Sequence, residues 1–148
     1  MSATQRLSLW LRLWAPLFAG GGALFYLAPG RVTGSLNLGA RVTGLAESPV
    51  DADNVWVVLA VAYMAVITGL SQSAAAEPLQ RRDLVRLLIL GKAVSSLGAL
   101  GYFIARRRSY AFALNFALDG TICATTWALL RAAERESEAL TPIALATA

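Results

Sequence analysis

Residues 87–119 read LLILGKAVSSLGALGYFIARRRSYAFALNFALD. Two apolar tracts flank the basic turn Arg106-Arg107-Arg108, and each comes close to the ~20 helical residues that cross a hydrocarbon core of ~30 Å. Each tract holds one charge well inside it, Lys92 before the turn and Asp119 after it. A charge at the centre of a membrane helix costs about 2.5–3.5 kcal/mol on insertion scales, so neither side chain is expected to face lipid. Lys92 lies ~21 Å from Arg106 and Asp119 ~17 Å from Arg108 at about 1.5 Å per residue. A helical hairpin therefore predicts the two within about one turn in depth, a gap that a lysine stem covers.

Rotation agrees with depth. Asn115, Asp119, Cys123 and Thr126 share one face of the fourth apolar segment, and Lys92, Ser96 and Ala99 share one face of the third, with Ser95 beside them. Thr68, Ser71 and Gln72 fall near the end of the second segment, level with Lys92 in an antiparallel arrangement. The pattern predicts an intramembrane polar seam of Lys92, Asp119, Asn115, Ser95, Ser96, Thr126, Thr68 and Gln72, with Lys92–Asp119 as its ion pair. Lys92 is also the chain's one lysine; every other cation is arginine. Arginine does not shed its proton in a protein, whereas a buried lysine titrates readily. A proton-coupled site would use such a lysine beside a carboxylate. Two buried opposite charges can equally do no more than neutralise each other and fix helix register.

The rest of the chain has the same character. Of its 148 residues 57% are hydrophobic and 15% charged, where soluble domains run nearer half and a quarter. Mean hydropathy is +0.57. The ten-residue alternation of an outer-membrane barrel is absent, which leaves helices to satisfy the backbone in lipid. The sequence predicts an all-α fold: one domain over 1–148, an integral membrane bundle of four transmembrane helices with short loops, spanning about 13–29, 54–76, 86–105 and 110–130. Residues 30–48 read as an irregular interfacial loop, because the hydrophobic positions of the duplicated Arg31-Val32-Thr33-Gly34 and Arg41-Val42-Thr43-Gly44 gather on no single helical face. Ser48, Pro49 and Asp51 supply a helix start signal, Pro78 opens the third helix, Ser109 caps the fourth, and residues 139–148 form a flexible tail. A basic start before an apolar run also describes a signal peptide, but Tyr26-Leu27-Ala28-Pro29 is a poor cleavage site.

Arginines near the span ends favour cytoplasmic termini by a narrow margin, Arg6, Arg12, Arg81, Arg82, Arg86, Arg131 and Arg135 against Arg31, Arg41, Arg106, Arg107 and Arg108. The net charge of +4 belongs to these ends, where it meets lipid headgroups, and no basic stripe interleaved with aromatics points to nucleic acid. Trp10, Trp14, Trp56 and Trp127 read as interfacial anchors. Ala65-xxx-Gly69-xxx-Ser73 and Gly91-xxx-Ser95-xxx-Ala99 read as internal helix-packing faces.

Catalytic chemistry has little to draw on. Histidine is absent and Cys123 is alone, so no metal site, no cofactor and no catalytic residue is expected. Three functions follow in order. The first is a non-enzymatic accessory or scaffold subunit of a membrane assembly, with other subunits or itself as partner. The second is a small oligomeric transporter or proton-linked carrier using Lys92 and Asp119. The last is a membrane-embedded enzyme acting on lipids or quinones, which has no carboxylate pair at catalytic spacing.

Three features in particular resemble the DoxX-like group of small four-helix bacterial membrane proteins. These are the Leu27-Ala28-Pro29-Gly30 exit from the first helix, Gly91-Lys92-Ala93-Val94-Ser95 in the third, and an acid in the fourth. Lys92 and Asp119 stand where that group leads one to look for Arg and Glu. The resemblance implies the four-helix fold and a bacterial inner membrane, and no defined activity.

Overall fold

The structure, a computed structural model, describes residues 1–48 and 55–146. Among these it holds five helices: α1 (Ala3–Leu27), α2 (Pro29–Thr43), α3 (Val55–Ala76), α4 (Arg82–Ala105) and α5 (Tyr110–Ala146). Three stretches, Val57–Ala76, Arg82–Ala105 and Tyr110–Leu140, are each long and apolar enough to cross a membrane. Arg12, Pro16 and the Gly20-Gly21-Gly22 run dilute α1, which qualifies only together with α2, bent from it by 106°.

The four long helices pack as an antiparallel ring in the order α1, α3, α4, α5. Ser8 Oγ near the start of α1 donates to the Ala75 carbonyl at the end of α3, while a Cβ on Gly22 near the end of α1 would lie 3.1 Å from Met64 Cβ. Arg86 pairs with Glu134 at 3.0 Å and Lys92 with Asp119 at 2.8 Å, so α4 and α5 run in opposite directions. The Ala3 N–H donates to Glu136, tying the first turn of α1 to the far end of α5.

Apolar packing is concentrated at the end of the bundle that holds the N-terminus. Leu7, Leu11, Ala74, Ala75, Val85, Leu88, Leu130 and Ala133 are buried there. Leu9, Leu13 and Leu17 on α1 and Leu87, Leu90, Val94 and Leu97 on α4 are more than half exposed. A surface so continuously apolar is solvated by hydrocarbon rather than by water.

Several boundaries differ from the sequence expectation. α1 starts well before residue 13 because Ser2 and Gln5 form a capping box, Ser2 Oγ accepting from the Gln5 N–H at 3.2 Å and Gln5 Oε1 from the Ser2 N–H at 3.0 Å. The expected loop at 30–48 is a helix over most of its length. Pro29 sits in its first turn and Gly44, in the left-handed region at φ 70°, ends it. Its hydroxyls satisfy carbonyls one turn back, Thr33 on Pro29 at 3.0 Å and Ser35 on Arg31 at 3.0 Å. The strand-like segment that follows docks on the α4–α5 turn, the Ala46 N–H donating to Arg108 O at 3.0 Å and the Tyr110 N–H to Ala46 O at 3.3 Å. Asn37 clamps this segment: its Nδ2 donates to Ser48 O at 3.0 Å and its Oδ1 accepts from the Ser48 N–H at 2.7 Å.

Pro78 opens a turn rather than a helix; α4 begins at Arg82, and the Arg81 guanidinium donates to Ser73 O at 3.0 Å at the end of α3. Residues 139–146 continue α5, where a loose tail is expected. Ser109 does open α5, its carbonyl accepting from the Ala113 N–H at 3.2 Å. The start signal at Pro49 and Asp51 lies outside the described residues.

Candidate functional site

Lys92 is the largest fully buried side chain among the described residues, 1% exposed, and Asp119 is 6% exposed. Lys92 Nζ donates to Asp119 Oδ1 at 2.8 Å, which is the geometry of a charge-assisted hydrogen bond. The depth count from the Arg106–Arg108 turn thus gives the right partner. Two further groups enclose the ammonium. Its nitrogen sits 4.4 Å from the centre of the Phe18 ring and 5.3 Å from that of Tyr63. A desolvated cation over an aromatic face gains about 2 kcal/mol or more. All four long helices therefore meet at Lys92: α1 through Phe18, α3 through Tyr63, α5 through Asp119, and its own α4.

The seam is shorter than predicted. Ser96 joins it, its hydroxyl donating to Phe116 O at 2.9 Å, and Gly120 makes room for that hydroxyl, since a Cβ there would lie 3.0 Å from it. Asn115 Nδ2 donates to Ser95 Oγ at 3.2 Å, so these two also meet across α4 and α5. Thr126 is fully buried but serves a different contact, accepting from the Trp10 indole N–H at 2.9 Å while donating to Ile122 O at 2.6 Å. Thr68 turns back on its own helix, to Met64 O at 2.7 Å. Gln72 is exposed beside Arg12 and Pro16. Neither belongs to the seam, because α3 presents Tyr63 and Ile67 to Lys92's helix at Gly91 instead.

Trp10 is a bundle residue rather than an interfacial anchor, for its indole is spent on Thr126. Trp14 packs between Trp10 and Phe18 with ring centres 5.5 and 5.4 Å away. Trp127 is 55% exposed. Gly91 packs closely on α3, within 3.4 Å of Ile67 and Tyr63 for an added Cβ. Ala65, Gly69 and Ser73 turn outward instead, with nothing within 4 Å of a Cβ on Gly69.

A cavity of about 450 Å³ opens from the ion pair toward α2. Leu17 and Phe25 of α1, Val32 and Leu36 of α2, and Leu114 and Leu118 of α5 supply apolar wall; Lys92, Asp119, Asn115 and Ser95 supply the polar part. Trp14 and Tyr63 line it as well, and the indole N–H of one and the hydroxyl of the other are buried with no hydrogen-bond partner among the described residues. No group of three or more metal-ligating side chains occurs among the described residues. The Cys123 thiol donates to Ile89 O at 3.6 Å. The chemistry available at the cavity is hydrogen-bond donation and acceptance beside a compensated charge pair.

No protein-family model, curated protein or solved structure matches the chain.

Proposed function

We propose that this chain is a small multi-pass membrane protein acting as a non-enzymatic accessory or scaffold subunit, in a larger assembly or with copies of itself. In this reading it crosses a bacterial inner membrane four times with cytoplasmic termini, α1 supplying the first crossing, as in the DoxX-like layout it resembles. The observation that carries the scaffold reading is the state of the one buried charge pair among the described residues: Lys92 and Asp119 neutralise each other where four helices meet, with the Phe18 and Tyr63 rings 4.4 and 5.3 Å from the ammonium. Such a centre fixes register. The outward Ala65–Gly69–Ser73 strip suits close approach by another membrane helix.

Purification in a mild detergent tests the reading. A species heavier than the monomer, or a stoichiometric partner, is expected, and Gly69→Leu is expected to shed it while the fold persists. A monomer without partners at all detergent concentrations contradicts it.

One observation favours the carrier reading as second: the ion pair borders the cavity. Reconstituted vesicles in which Lys92→Met and Asp119→Asn remain folded but lose proton-linked uptake would put the carrier first.

A further inference from the structure

The cavity over Lys92 and Asp119 differs from the rest of the bundle in three ways. The end of the bundle near the N-terminus is closed by leucine and alanine packing, whereas the same four helices stand apart at the end near α2 and leave about 450 Å³. That volume falls within the roughly 300–1,000 Å³ of small-molecule sites. The second difference is access. Leu17 and Leu118 both line the cavity and are 53% and 51% exposed. The direct α1–α5 bonds, Ala3 to Glu136 and Trp10 to Thr126, lie toward the other end. The cavity therefore opens sideways between α1 and α5, into the apolar surround, beneath α2.

The third difference is the surplus of hydrogen-bond donors at the polar end. Lys92 has three N–H groups, of which one is spent on Asp119. Tyr63 adds a hydroxyl, against Gly91, and Trp14 an indole N–H, each buried without a partner among the described residues, so that a ligand reaches them as the side chains around them move. On the acceptor side, Asp119 Oδ1 is held by Lys92, which leaves its Oδ2 and the Asn115 amide oxygen, one turn nearer α2, against the four donors. A ligand head that satisfies these donors must be an acceptor. Its charge is constrained as well: the lysine and aspartate already sum to zero, so a carboxylate would bring an uncompensated charge into a low-dielectric site, at a cost of several kcal/mol. A cation would compete with Lys92 for Asp119.

We propose that this cavity binds one uncharged, carbonyl-headed lipophile from the bilayer, its carbonyl accepting from the Lys92, Tyr63 and Trp14 donors and its chain lying among Leu17, Leu36, Leu114 and Leu118 toward the α1–α5 opening. The site is independent of whether the chain works as a scaffold or a carrier.

The test uses the purified full chain in detergent and three chain-brominated probes of equal length: a methyl ketone, a fatty acid and a hydrocarbon. Bromine quenches nearby tryptophan, and Trp14 lies in the cavity wall. The ketone is expected to quench saturably at one per chain and to bind at least tenfold more tightly than either other probe at neutral pH. Tyr63→Phe, which keeps the ring over Lys92, is expected to weaken the ketone several-fold and leave the hydrocarbon unchanged. Leu114→Trp, which fills the cavity, is expected to abolish saturable ketone quenching. Organic extraction of the purified protein then separates two sources of the same chemistry. A stoichiometric acyl-ester lipid identifies a bilayer lipid as the ligand, and a protein extracted lipid-free that still binds the ketone identifies a free lipophile. Equal affinity for the three probes overturns the assignment, as does ketone binding unchanged in Tyr63→Phe.

Discussion

Lys92→Met is expected to lower the unfolding free energy in detergent by about 3–5 kcal/mol, and Asp119→Asn to cost nearly as much, because each leaves an unpaired group in a site where its partner is 6% or 1% exposed. The double variant removes both charges and is expected to recover at least half of the summed loss, a coupling that two unrelated sites do not show. Lys92→Arg keeps the charge and is nevertheless expected to destabilise. The guanidinium is larger and planar, so it cannot keep both the 2.8 Å contact to Asp119 and the ammonium's place beside the Phe18 and Tyr63 rings without shifting toward the cavity. Denaturant titration of the four proteins in one detergent reads all of this. Additive losses would mean that the 2.8 Å contact contributes no coupling to stability.

The second large effect is expected far from the charges. A Cβ on Gly39 would fall on the Cε1–Cζ edge of the Tyr110 ring, well inside contact distance. Gly39→Ala must therefore lift α2 off the start of α5 or push the Tyr110 ring aside, at about 1–3 kcal/mol. The same change lies on the helix that roofs the cavity through Val32 and Leu36, so the variant is expected to bind apolar probes less tightly as well. Tyr110→Ala on its own loses aromatic packing, but combined with Gly39→Ala it is expected to restore most of the stability that Gly39→Ala removes. Thermal melts of the two single variants and the double variant measure this, and a silent Gly39→Ala would show that α2 does not seat on Tyr110.

The ion pair was legible because helical rise and a charged turn fix depth without any knowledge of packing. Counting from Arg106 and Arg108 brings Lys92 opposite Asp119, and a buried charge has few acceptable partners. The Asn115–Ser95 and Ser96 contacts follow from the same hairpin. What stayed hidden involves contacts outside the α4–α5 hairpin. Phe18 and Tyr63 reach Lys92 from α1 and α3, and nothing in an apolar stripe marks which aromatic faces a cation. Thr68, next to Ile67, lies at the expected depth but turned elsewhere, whereas Gln72 lies beside Arg12 and Pro16, more than a turn past the Ile67–Gly91 contact, since neither the tilt of α3 nor the face it turns inward can be counted from the Arg106–Arg108 turn.

α2 escaped for another reason. Its inward positions, Val32, Leu36, Asn37, Gly39 and Ala40, do recur at helical spacing, yet three of them are small or polar and carry no hydrophobic signal. The terminal punctuation, Pro29 in the first turn and Gly44 after the last, is the signal that marks this helix. Outward-facing Ala65, Gly69 and Ser73 teach a similar lesson: small residues permit close approach on either side of a helix, and spacing alone does not choose the side.

The number of crossings decides how all of this sits in a membrane, and side-specific labelling measures it. Single cysteines placed by Arg6→Cys, Val42→Cys, Gln80→Cys, Arg107→Cys and Glu138→Cys in a Cys123→Ser background would be exposed to a membrane-impermeant maleimide, before and after the vesicles are permeabilised. Four crossings require positions 6, 80 and 138 to label from one face and positions 42 and 107 from the other. Labelling of positions 6 and 42 from the same face would make α1 and α2 a re-entrant pair with three crossings beside it, and would contradict the four-span bundle built around Lys92 and Asp119.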